Sequence, residues 1–338
     1  MSASLLPAEG PARLRRIPYC PAGGMPVLSR NLRLWTLLVA LLLLSSCAEA
    51  ATPAPAPAAP GFPLTVTDDA GRSVTIAQEP QRLISLASSN TELVYAAGLQ
   101  DRLVGVDDYS DYPAEAKSKE KVGGFSKPNV EKIVGLAPDL VLATQIHTKG
   151  VVADLEQRGL KVVVIQPTKL DQMPENLLLL GRLTGKQAQA ERVAGELRQR
   201  IQAVTAKTAA AAKVRVFFEL SPDLISVGPG TFLDDMIAKA GGESVSHDAQ
   251  GSWPKLNPET IVATDPQVII LSDHGSDSGG VTARMVKERP GWASVAAAKN
   301  NRIVLLPDQD ITNRPGPRAV DGLEFLARAL HPELFPAR

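Results

Sequence analysis

A short segment of this chain occurs twice, 128 residues apart, and it constrains the fold more than any other feature of the sequence. Each copy contains an Asn, a Glu two residues later, a Pro seven residues after the Glu, and then an apolar run; the copies cover residues 129–142 and 257–270. Each reads as a helix, a turn and a buried strand. Repetition of a whole unit at one fixed offset predicts two lobes of similar fold.

The region around the first copy alternates short apolar runs with helical patterns. Four buried strands are predicted, at Leu83–Leu86, Leu103–Val106, Asp139–Ala143 and Lys161–Ile165. Helices are predicted at 131–136 and 151–158, and the sequence Ser89-Asn90-Thr91-Glu92 matches a capping box that would open a helix ending near Gly98. This alternation is typical of a mostly parallel sheet with helices on both faces.

The middle of the chain has a different pattern, because residues 173–183 and 186–208 read as helices with no strand between them. Val193, Leu197, Ile201 and Val204 recur at helical spacing in the second helix. The α/β rhythm then resumes with strands predicted at 214–220, 268–271 and 303–306. The predicted organisation is an N-terminal α/β lobe at 62–172, a helical connection at 173–212 and a C-terminal α/β lobe at 213–338.

The N-terminus has the features of an export signal. Arg30 and Arg33 precede the apolar run Leu34–Leu44, which is too short to span a bilayer and has the length of a signal-peptide core. The run ends at Leu44-Ser45-Ser46-Cys47, which resembles the lipobox of bacterial lipoproteins and implies cleavage before Cys47 and acylation of that residue. Residues 1–46 are therefore interpreted as a signal peptide, with Met25 as an alternative start.

The residues after Cys47 are almost wholly Ala and Pro. Such a stretch does not build a core and tends to be extended. We interpret 47–61 as the lipidated Cys and a tether, which would attach the folded part to the outer face of the cell membrane, whether periplasmic or extracellular.

Composition and motifs argue against nucleic-acid binding and against catalysis. The chain has 36 basic and 36 acidic residues and no basic stripe, so nucleic acid is not an expected partner. Both cysteines, Cys20 and Cys47, precede the globular part. No P-loop, G-x-G-x-x-G, G-x-S-x-G or H-E-x-x-H motif occurs, and no cofactor is expected. A metal-dependent hydrolase on a two-lobed scaffold is the least favoured alternative.

The four histidines are scattered, and adjacent pairs such as Asp273-His274 and His247-Asp248 give no chelating geometry by themselves. No metal site is therefore predicted. His147 follows a strand end, where ligands bind in α/β sheets, and is a weak candidate for the ligand pocket.

Aromatic side chains are rare in this chain, yet several fall in loops. Tyr109 and Tyr112 follow a predicted strand, Phe125 lies in Gly-Gly-Phe-Ser, and Trp253 lies in Gly-Ser-Trp-Pro. Such residues fit the lining of a large flat ligand in a cleft between two lobes. The alternative is that they cover the tops of the two sheets.

The residues quoted so far resemble the substrate-binding proteins of ABC importers for cobalamin, ferric siderophores and haem. The matching segments are 84–92, 129–134 with 138–141, and 257–259, and the resemblance covers about residues 62–338. It implies two Rossmann-like α/β lobes joined by a single long interdomain helix, the class III periplasmic-binding-protein fold. In that fold, 186–208 would be the long helix.

The resemblance also assigns a role to the repeated glutamates. In the family, the matching residues lie on top of the lobes and pair with arginines of the permease dimer, so Glu131 and Glu259 are expected to dock there. The alternative is helix capping, because an acid near a helix N-terminus interacts favourably with the helix dipole.

Within the family, the loops are most similar to those of cobalamin binders. The similarity assigns Tyr109, Phe125, Trp253, Asp310 and Arg314 to the ligand site, with Phe125 at a position where Trp is usual. The expected protein is a monomeric, non-enzymatic receptor that binds a corrinoid and delivers it to a permease. A ferric siderophore, which would favour basic residues in the cleft, and haem, which would need a Tyr or His ligand to iron, remain alternatives.

Overall fold

A computed structural model describes residues 61–272 and 280–336. The described part begins with a hairpin of two antiparallel strands, β1 (Leu64–Thr67) and β2 (Ser73–Ile76). Asp68 begins the hairpin turn, and its carboxylate accepts hydrogen bonds from Arg72 and from the backbone of Val164. The hairpin is thereby tied to the first lobe. No strand was predicted here from the sequence.

The first lobe is built on a parallel sheet of order β4-β3-β7-β8. Its strands are β3 (Leu83–Ser85), β4 (Leu103–Val106), β7 (Leu140–Ala143) and β8 (Val162–Val164), and a two-residue hairpin supplies β5 (Gly123–Gly124) and β6 (Lys127–Pro128). Helices α1 (Ser88–Ala96), α2 (Val130–Gly135) and α3 (Val151–Gln157) connect them. All four predicted strands are present, and they differ from the expected bounds by a residue or two at some ends.

The second lobe repeats this topology, with the strand order β10-β9-β11-β12. Its strands are β9 (Val214–Glu219), β10 (Gly242–Ser244), β11 (Val268–Leu271) and β12 (Ile303–Leu305). All of its strand pairs are parallel. β10 was not predicted, because Gly242-Glu243-Ser244 has no apolar run.

Two helices join the lobes, α4 (Gln172–Leu183) and α5 (Gln187–Thr208). The 22 residues of α5 span about 33 Å at 1.5 Å per residue. Its buried stripe recurs every three or four positions and comprises Ala190, Ala194, Leu197, Ile201, Val204 and Thr208. The predicted long interdomain helix is confirmed, although Val193 is only partly buried at the edge of the stripe.

The second lobe also carries α6 (Phe232–Lys239), α7 (Pro258–Thr264), α8 (Ala283–Glu288), α9 (Ala296–Lys299), α10 (Asp310–Asn313) and α11 (Ala319–Leu330). The buried residues form three clusters. One extends through both lobes and the connecting helices, and each lobe has a second cluster on the other face of its sheet. Both sheets are therefore covered on both faces, as their continuous apolar strands require.

The repeat seen in the sequence is also a repeat of conformation. Helices α2 and α7 are capped by Asn129 and Asn257, whose side chains accept hydrogen bonds from backbone N–H groups of the first turn. After each helix the chain turns through a residue with φ of +46°, Ala137 in one lobe and Asp265 in the other. These two residues are 128 positions apart, like the rest of the unit.

The capping box predicted at Ser89–Glu92 is wrong. Helix α1 begins at Ser88, its N-cap is Ala87, and no side chain caps it. Ser89 therefore lies inside the helix, and the Glu92 carboxylate accepts a hydrogen bond from Arg318 at 2.8 Å. The Glu92 side chain thus forms an ion pair with Arg318, 226 residues away in the sequence, and not a local capping hydrogen bond.

Candidate ligand cleft and docking surface

The cleft between the lobes contains two adjoining cavities of about 470 and 520 Å³. They share Gln166, Asn313 and Pro315 in their linings. Their walls include residues that directly follow strands, such as Asp107 after β4 and Thr144 after β7. The cleft thus lies at the carboxyl ends of parallel strands, where α/β folds bind ligands.

All five residues assigned to the ligand site line these cavities. Tyr109, Phe125, Asp310 and Arg314 line the first, and Trp253 lines the second. Tyr109 is 62% exposed, Phe125 38% and Trp253 56%, so part of each ring is accessible to a ligand. Tyr112 is outside the cleft cavities, and its ring lies against Arg318 instead.

The Tyr109 loop is held in place by a buried carboxylate. Asp107 is 2% exposed, and it accepts hydrogen bonds from the Ser110 hydroxyl and from the backbone N–H of Tyr109. Burial raises the pKa of Asp107, against the hydrogen bonds from Ser110 and Tyr109 that lower it. The hydrogen bonds to Asp107 fix the backbone of the loop and leave the Tyr109 ring free to contact a ligand.

Phe125 lies at the tip of the β5–β6 hairpin. Gly123 has φ of +103°, and a Cβ there would lie 2.8 Å from the Asn129 backbone nitrogen, so the hairpin requires glycine at this position. A tight turn of this kind projects the Phe125 ring toward the cleft.

His147 supports Phe125 and does not line either cleft cavity, so its interpretation as a pocket residue is wrong. It is 1% exposed. Its Nε2 donates to the Phe125 carbonyl at 2.7 Å, and its Nδ1 accepts from the Thr144 N–H at 2.9 Å. Its ring meets the Phe125 ring edge-on at a centroid distance of 5.6 Å. Burial lowers the pKa of His147, which keeps the imidazole neutral.

Trp253 is presented by a loop that is hydrogen bonded to its own lobe. Ser226 N–H donates to the Pro254 carbonyl at 2.9 Å, and Gly228 N–H donates to the Ser252 carbonyl at 3.0 Å. A Cβ at Gly228 would overlap the Gly251 carbonyl, so the close approach of these two segments requires glycine. Two backbone bonds that flank Trp253 thus fix its position.

Arg314 bridges the two lobes. Its Nη1 donates to Asp111 of the first lobe at 2.6 Å, and its Nη2 lies 2.9 Å from Asp310 of its own lobe. Burial raises the pKa of Asp310. Burial also acts to raise the pKa of Asp111, but the hydrogen bond and charge of Arg314 outweigh it and lower that pKa. The guanidinium at the cleft is therefore already matched by two carboxylates.

A second bridge, which the sequence analysis missed, is centred on Arg318. Its guanidinium contacts Glu92 at 2.8 Å and Asp308 at 2.9 Å, and it stacks over the Tyr112 ring at 4.0 Å. Glu92 is 4% exposed, and burial raises its pKa. In the sequence, Arg318 ends the run Arg314-Pro315-Gly316-Pro317-Arg318. This run does not show that Arg318 pairs with a residue of the other lobe.

Glu131 and Glu259 occupy matching places, in the first turns of α2 and α7. Asn129 and Asn257 make the side-chain caps of these helices, so neither carboxylate is needed for that purpose. The two differ in their surroundings. Glu131 pairs with Arg158 at 2.9 Å, whereas the exposed Glu259 side chain has no hydrogen bond or ion pair with any residue that the structure describes.

Some predictions concern residues outside 61–272 and 280–336. These are the signal peptide, Cys47, the tether up to residue 60, and His274. Within the described ranges, no helix is long and apolar enough to cross a membrane, and no group of three potential metal ligands occurs.

Comparison with known proteins identifies the family. The family model for periplasmic binding proteins matches residues 83–309. The uncharacterized ABC transporter substrate-binding lipoprotein YvrC of Bacillus subtilis is 32% identical, over 88% of this chain and 96% of its own length. The crystal structure of the periplasmic vitamin B12 binding protein BtuF of Vibrio cholerae matches with a TM-score of 0.67 and 31% identity, over 76% of this chain and 99% of that one.

A haem-binding structure is also similar. The periplasmic heme-binding protein RhuT of Roseiflexus sp. RS-1 matches with a TM-score of 0.65 and 27% identity, over 75% of this chain and 99% of that one. The two lobes, the single long helix and these matches agree on one fold. The chain belongs to the periplasmic binding protein family, as a substrate-binding protein of the ABC importer type with the class III fold, and it is a binding protein and not an enzyme.

Proposed function

We propose that this protein captures cobalamin or a related corrinoid in the cleft between its lobes and delivers it to an ABC permease. The observation that carries the proposal is the exposure of three aromatic rings, Tyr109, Phe125 and Trp253, around two adjoining cavities. Relatives that are named for vitamin B12 binding support the same ligand class.

The shape of a corrin explains why these residues fit it. The macrocycle is broad, largely apolar on its faces and rimmed with amides. Tyr109 and Phe125 supply apolar walls from the first lobe, and Trp253 supplies one from the second. Polar groups at the edge, including Gln166 and Asn313, are suited to neutral amides.

The charges in the cleft favour this ligand over an anionic siderophore. The ionisable residues in the linings of the two cavities are Asp107, Asp310, Arg314 and the phenol of Tyr109. Arg314 is paired with two carboxylates, so it offers no uncompensated positive charge to a ferric siderophore. A neutral ligand avoids the repulsion that a carboxylate-rich ligand would meet there.

Haem is the second candidate, because a phenol faces the first cavity. Tyr109 is 62% exposed and is placed where it can reach a bound ligand. His147 is not available as an axial ligand, since both of its ring nitrogens are hydrogen bonded to the backbone. Haem binding would thus depend on Tyr109.

Delivery requires docking to the permease, and a lipid anchor would keep the receptor close to it. Glu131 and Glu259 are the proposed contacts for basic residues of a permease dimer, since both carboxylates are exposed at equivalent places on the two lobes. Cys47 is the proposed site of lipid attachment, which would keep the exported receptor on the outer face of the cell membrane.

Titration calorimetry distinguishes the candidate ligands. Purified protein is titrated separately with cyanocobalamin, haemin and ferric citrate, an anionic ferric chelate. We expect 1:1 binding of cyanocobalamin and much weaker heat with the other two. Tight binding of haemin that is lost in Tyr109→Phe, without heat from cyanocobalamin, would assign the cleft to haem.

A further inference from the structure

A surface pocket of about 490 Å³ lies beside Glu259 on the second lobe. Its walls include Pro222, Leu224, Pro258, Val262, Pro290 and Trp292. We propose that this Glu259 pocket receives an apolar side chain from an extracytoplasmic loop of the permease, next to the basic residue that pairs with Glu259. This inference rests on the proposed transport function and adds an anchoring site to it.

The floor of the Glu259 pocket is rigid. The Trp292 indole is 1% exposed and packs edge-on against Phe217 at a centroid distance of 5.6 Å. The Arg289 guanidinium lies 4.7 Å from the Trp292 ring, and its two terminal nitrogens each donate to the buried carboxylate of Glu219 at 2.6 Å. A floor fixed by this network does not collapse to fill the pocket, so the cavity persists in the free protein.

One wall of the pocket is held in a strained conformation. Leu224 has φ of +61°, in the left-handed region that residues with a side chain rarely adopt. Two backbone hydrogen bonds hold it there, from its N–H to Ser221 and from the Leu256 N–H to its carbonyl. Strain of this kind is concentrated at functional sites, and here it directs a leucine to an open pocket.

The charges on the pocket identify the kind of partner. Arg289 is neutralised by Glu219, whereas the Glu259 carboxylate at the rim is exposed and, among the residues that the structure describes, unpaired. The rest of the wall is apolar and has no side chain that would orient a polar small molecule. The complement is therefore a protein segment with a basic residue beside an apolar one.

The first lobe presents its glutamate differently. Arg158 holds Glu131 at 2.9 Å and also donates to Asp154. A basic residue of the permease must therefore compete with Arg158 for Glu131, but not for Glu259. On the second lobe, the unpaired carboxylate of Glu259 and the apolar pocket lie side by side.

The proposal is tested by a substitution that fills the Glu259 pocket and leaves the ligand cleft unchanged. Ala263 is exposed and lines the pocket, so Ala263→Trp occupies it; Ala206→Trp, on the exposed face of α5, is the matched control. Each variant is measured for cyanocobalamin affinity and, in a deletion strain of the source organism, for uptake of radiolabelled cyanocobalamin. We expect at least a fivefold loss of uptake for Ala263→Trp, wild-type uptake for Ala206→Trp, and affinities within twofold for both.

A second variant guards against misfolding. Leu224→Asn suits a positive φ but removes the apolar wall; it should lower stability modestly through lost packing, yet keep the fold and the cyanocobalamin affinity while uptake falls. Wild-type uptake by both pocket variants, while Glu131→Ala/Glu259→Ala is defective, would overturn the pocket proposal alone. Absence of cyanocobalamin binding by the wild-type protein would instead overturn the proposed function.

Discussion

Three exposed aromatic rings mark the cleft at the scale of single residues. An exposed aromatic ring loses the stabilisation that burial normally gives, so the surface that a ligand covers is a direct source of affinity. Trp253 is the largest of the three and is 56% exposed. Its loop is already fixed by backbone hydrogen bonds, so little ordering is required when a ligand binds.

Trp253→Ala is expected to weaken corrinoid binding by about 2 kcal/mol or more. Covering on the order of 100 Å² of ring surface at about 25 cal/mol/Å² is worth about 2.5 kcal/mol. Titration calorimetry with cyanocobalamin measures the change, and Met285→Ala, an exposed apolar residue outside the cleft cavities, is the control. Arg314→Ala should cost less, because Arg314 is already paired with Asp111 and Asp310. Equal cyanocobalamin affinities of Trp253→Ala and Met285→Ala would mean that Trp253 does not contact the ligand.

His147 is expected to make the stability of the protein depend on pH. Burial lowers its pKa in the folded state, so the unfolded state binds more protons as the pH falls below about 6.5. The contribution of His147 to the free energy of unfolding is full above that pH and is lost below it, when the proton displaces the Thr144 N–H from Nδ1. Urea unfolding at pH 7.5 and 5.5 measures this loss.

The control for His147 is His147→Gln, which keeps a donor for the Phe125 carbonyl but does not titrate. The difference between the two proteins isolates the histidine from Asp107 and Glu92, whose raised pKa values act with the opposite sign. We expect the wild-type protein to lose more stability than the variant between pH 7.5 and 5.5. An identical change in both would mean that His147 does not titrate differently on folding.

At the scale of elements, helices α2 and α7 are the same unit used twice. Each is opened by an Asn cap, carries a Glu in its first turn and ends in a residue with φ of +46° before a buried strand. Because the caps come from Asn129 and Asn257, neither glutamate is needed as a side-chain cap; Glu131 pairs with Arg158 at the surface, and both carboxylates are exposed. Substituting the glutamates therefore leaves the side-chain caps of both helices in place.

Glu131→Ala/Glu259→Ala is expected to impair docking to the permease and to leave ligand affinity within about 0.5 kcal/mol of wild type, because both residues are surface residues outside the cleft. Uptake of cyanocobalamin and calorimetry on the purified variant measure the two effects. Glu156→Ala/Glu288→Ala, which changes two other exposed acids, is the control for net charge. Loss of ligand binding in the Glu131/Glu259 variant would contradict the docking role and would mean that these residues contribute to the ligand site.

At the scale of the whole molecule, the lobes are held by α5 and by two ion-pair bridges. Arg314 pairs with Asp111 and Arg318 pairs with Glu92, each across the seam between the lobes. Glu92 is buried and Arg318 is largely covered, so this pair is shielded from solvent more than the surface pairs of the chain.

Arg318→Ala is expected to destabilise the protein by about 3–5 kcal/mol, because it leaves the Glu92 carboxylate buried without its partner. Arg328→Ala is the matched control, since that side chain is exposed and lies 4.0 Å from Glu324. Urea denaturation measures both. A loss of less than about 1 kcal/mol for Arg318→Ala would mean that Glu92 becomes protonated or solvated at little cost.

The proposed membrane attachment concerns the whole molecule and would depend on Cys47, which lies outside the described ranges. If Cys47 is acylated, Cys47→Ala should release the protein from the membrane fraction or block its processing. Fractionation and mass spectrometry of the mature N-terminus measure this outcome, and Cys20→Ala is the control. Unchanged membrane association with a non-acylated N-terminus would contradict the assignment.

Much of this fold was predictable from the sequence because its signals are local. Buried parallel strands are continuous apolar runs, α5 carries a buried stripe over about five turns, and the repeated unit keeps its spacing. The β1–β2 hairpin and β10 were missed because Ser73–Ile76 and Gly242–Ser244 are short and partly polar. The helix start at Ser88 was misassigned because a capping motif describes only local hydrogen bonds.

The sequence by itself determined seven of the eight parallel strands, the long helix, the duplication of the lobe and the residue types offered to a ligand, since each depends on contacts between neighbours in the chain or on periodic burial. Only the tertiary structure decided which charges pair, namely Glu92 with Arg318 and Asp111 with Arg314. It also decided that His147 is buried beside Phe125 and does not line the cleft. Such partners lie tens or hundreds of residues apart, and electrostatic and hydrogen-bonding energies depend on distances that folding alone sets.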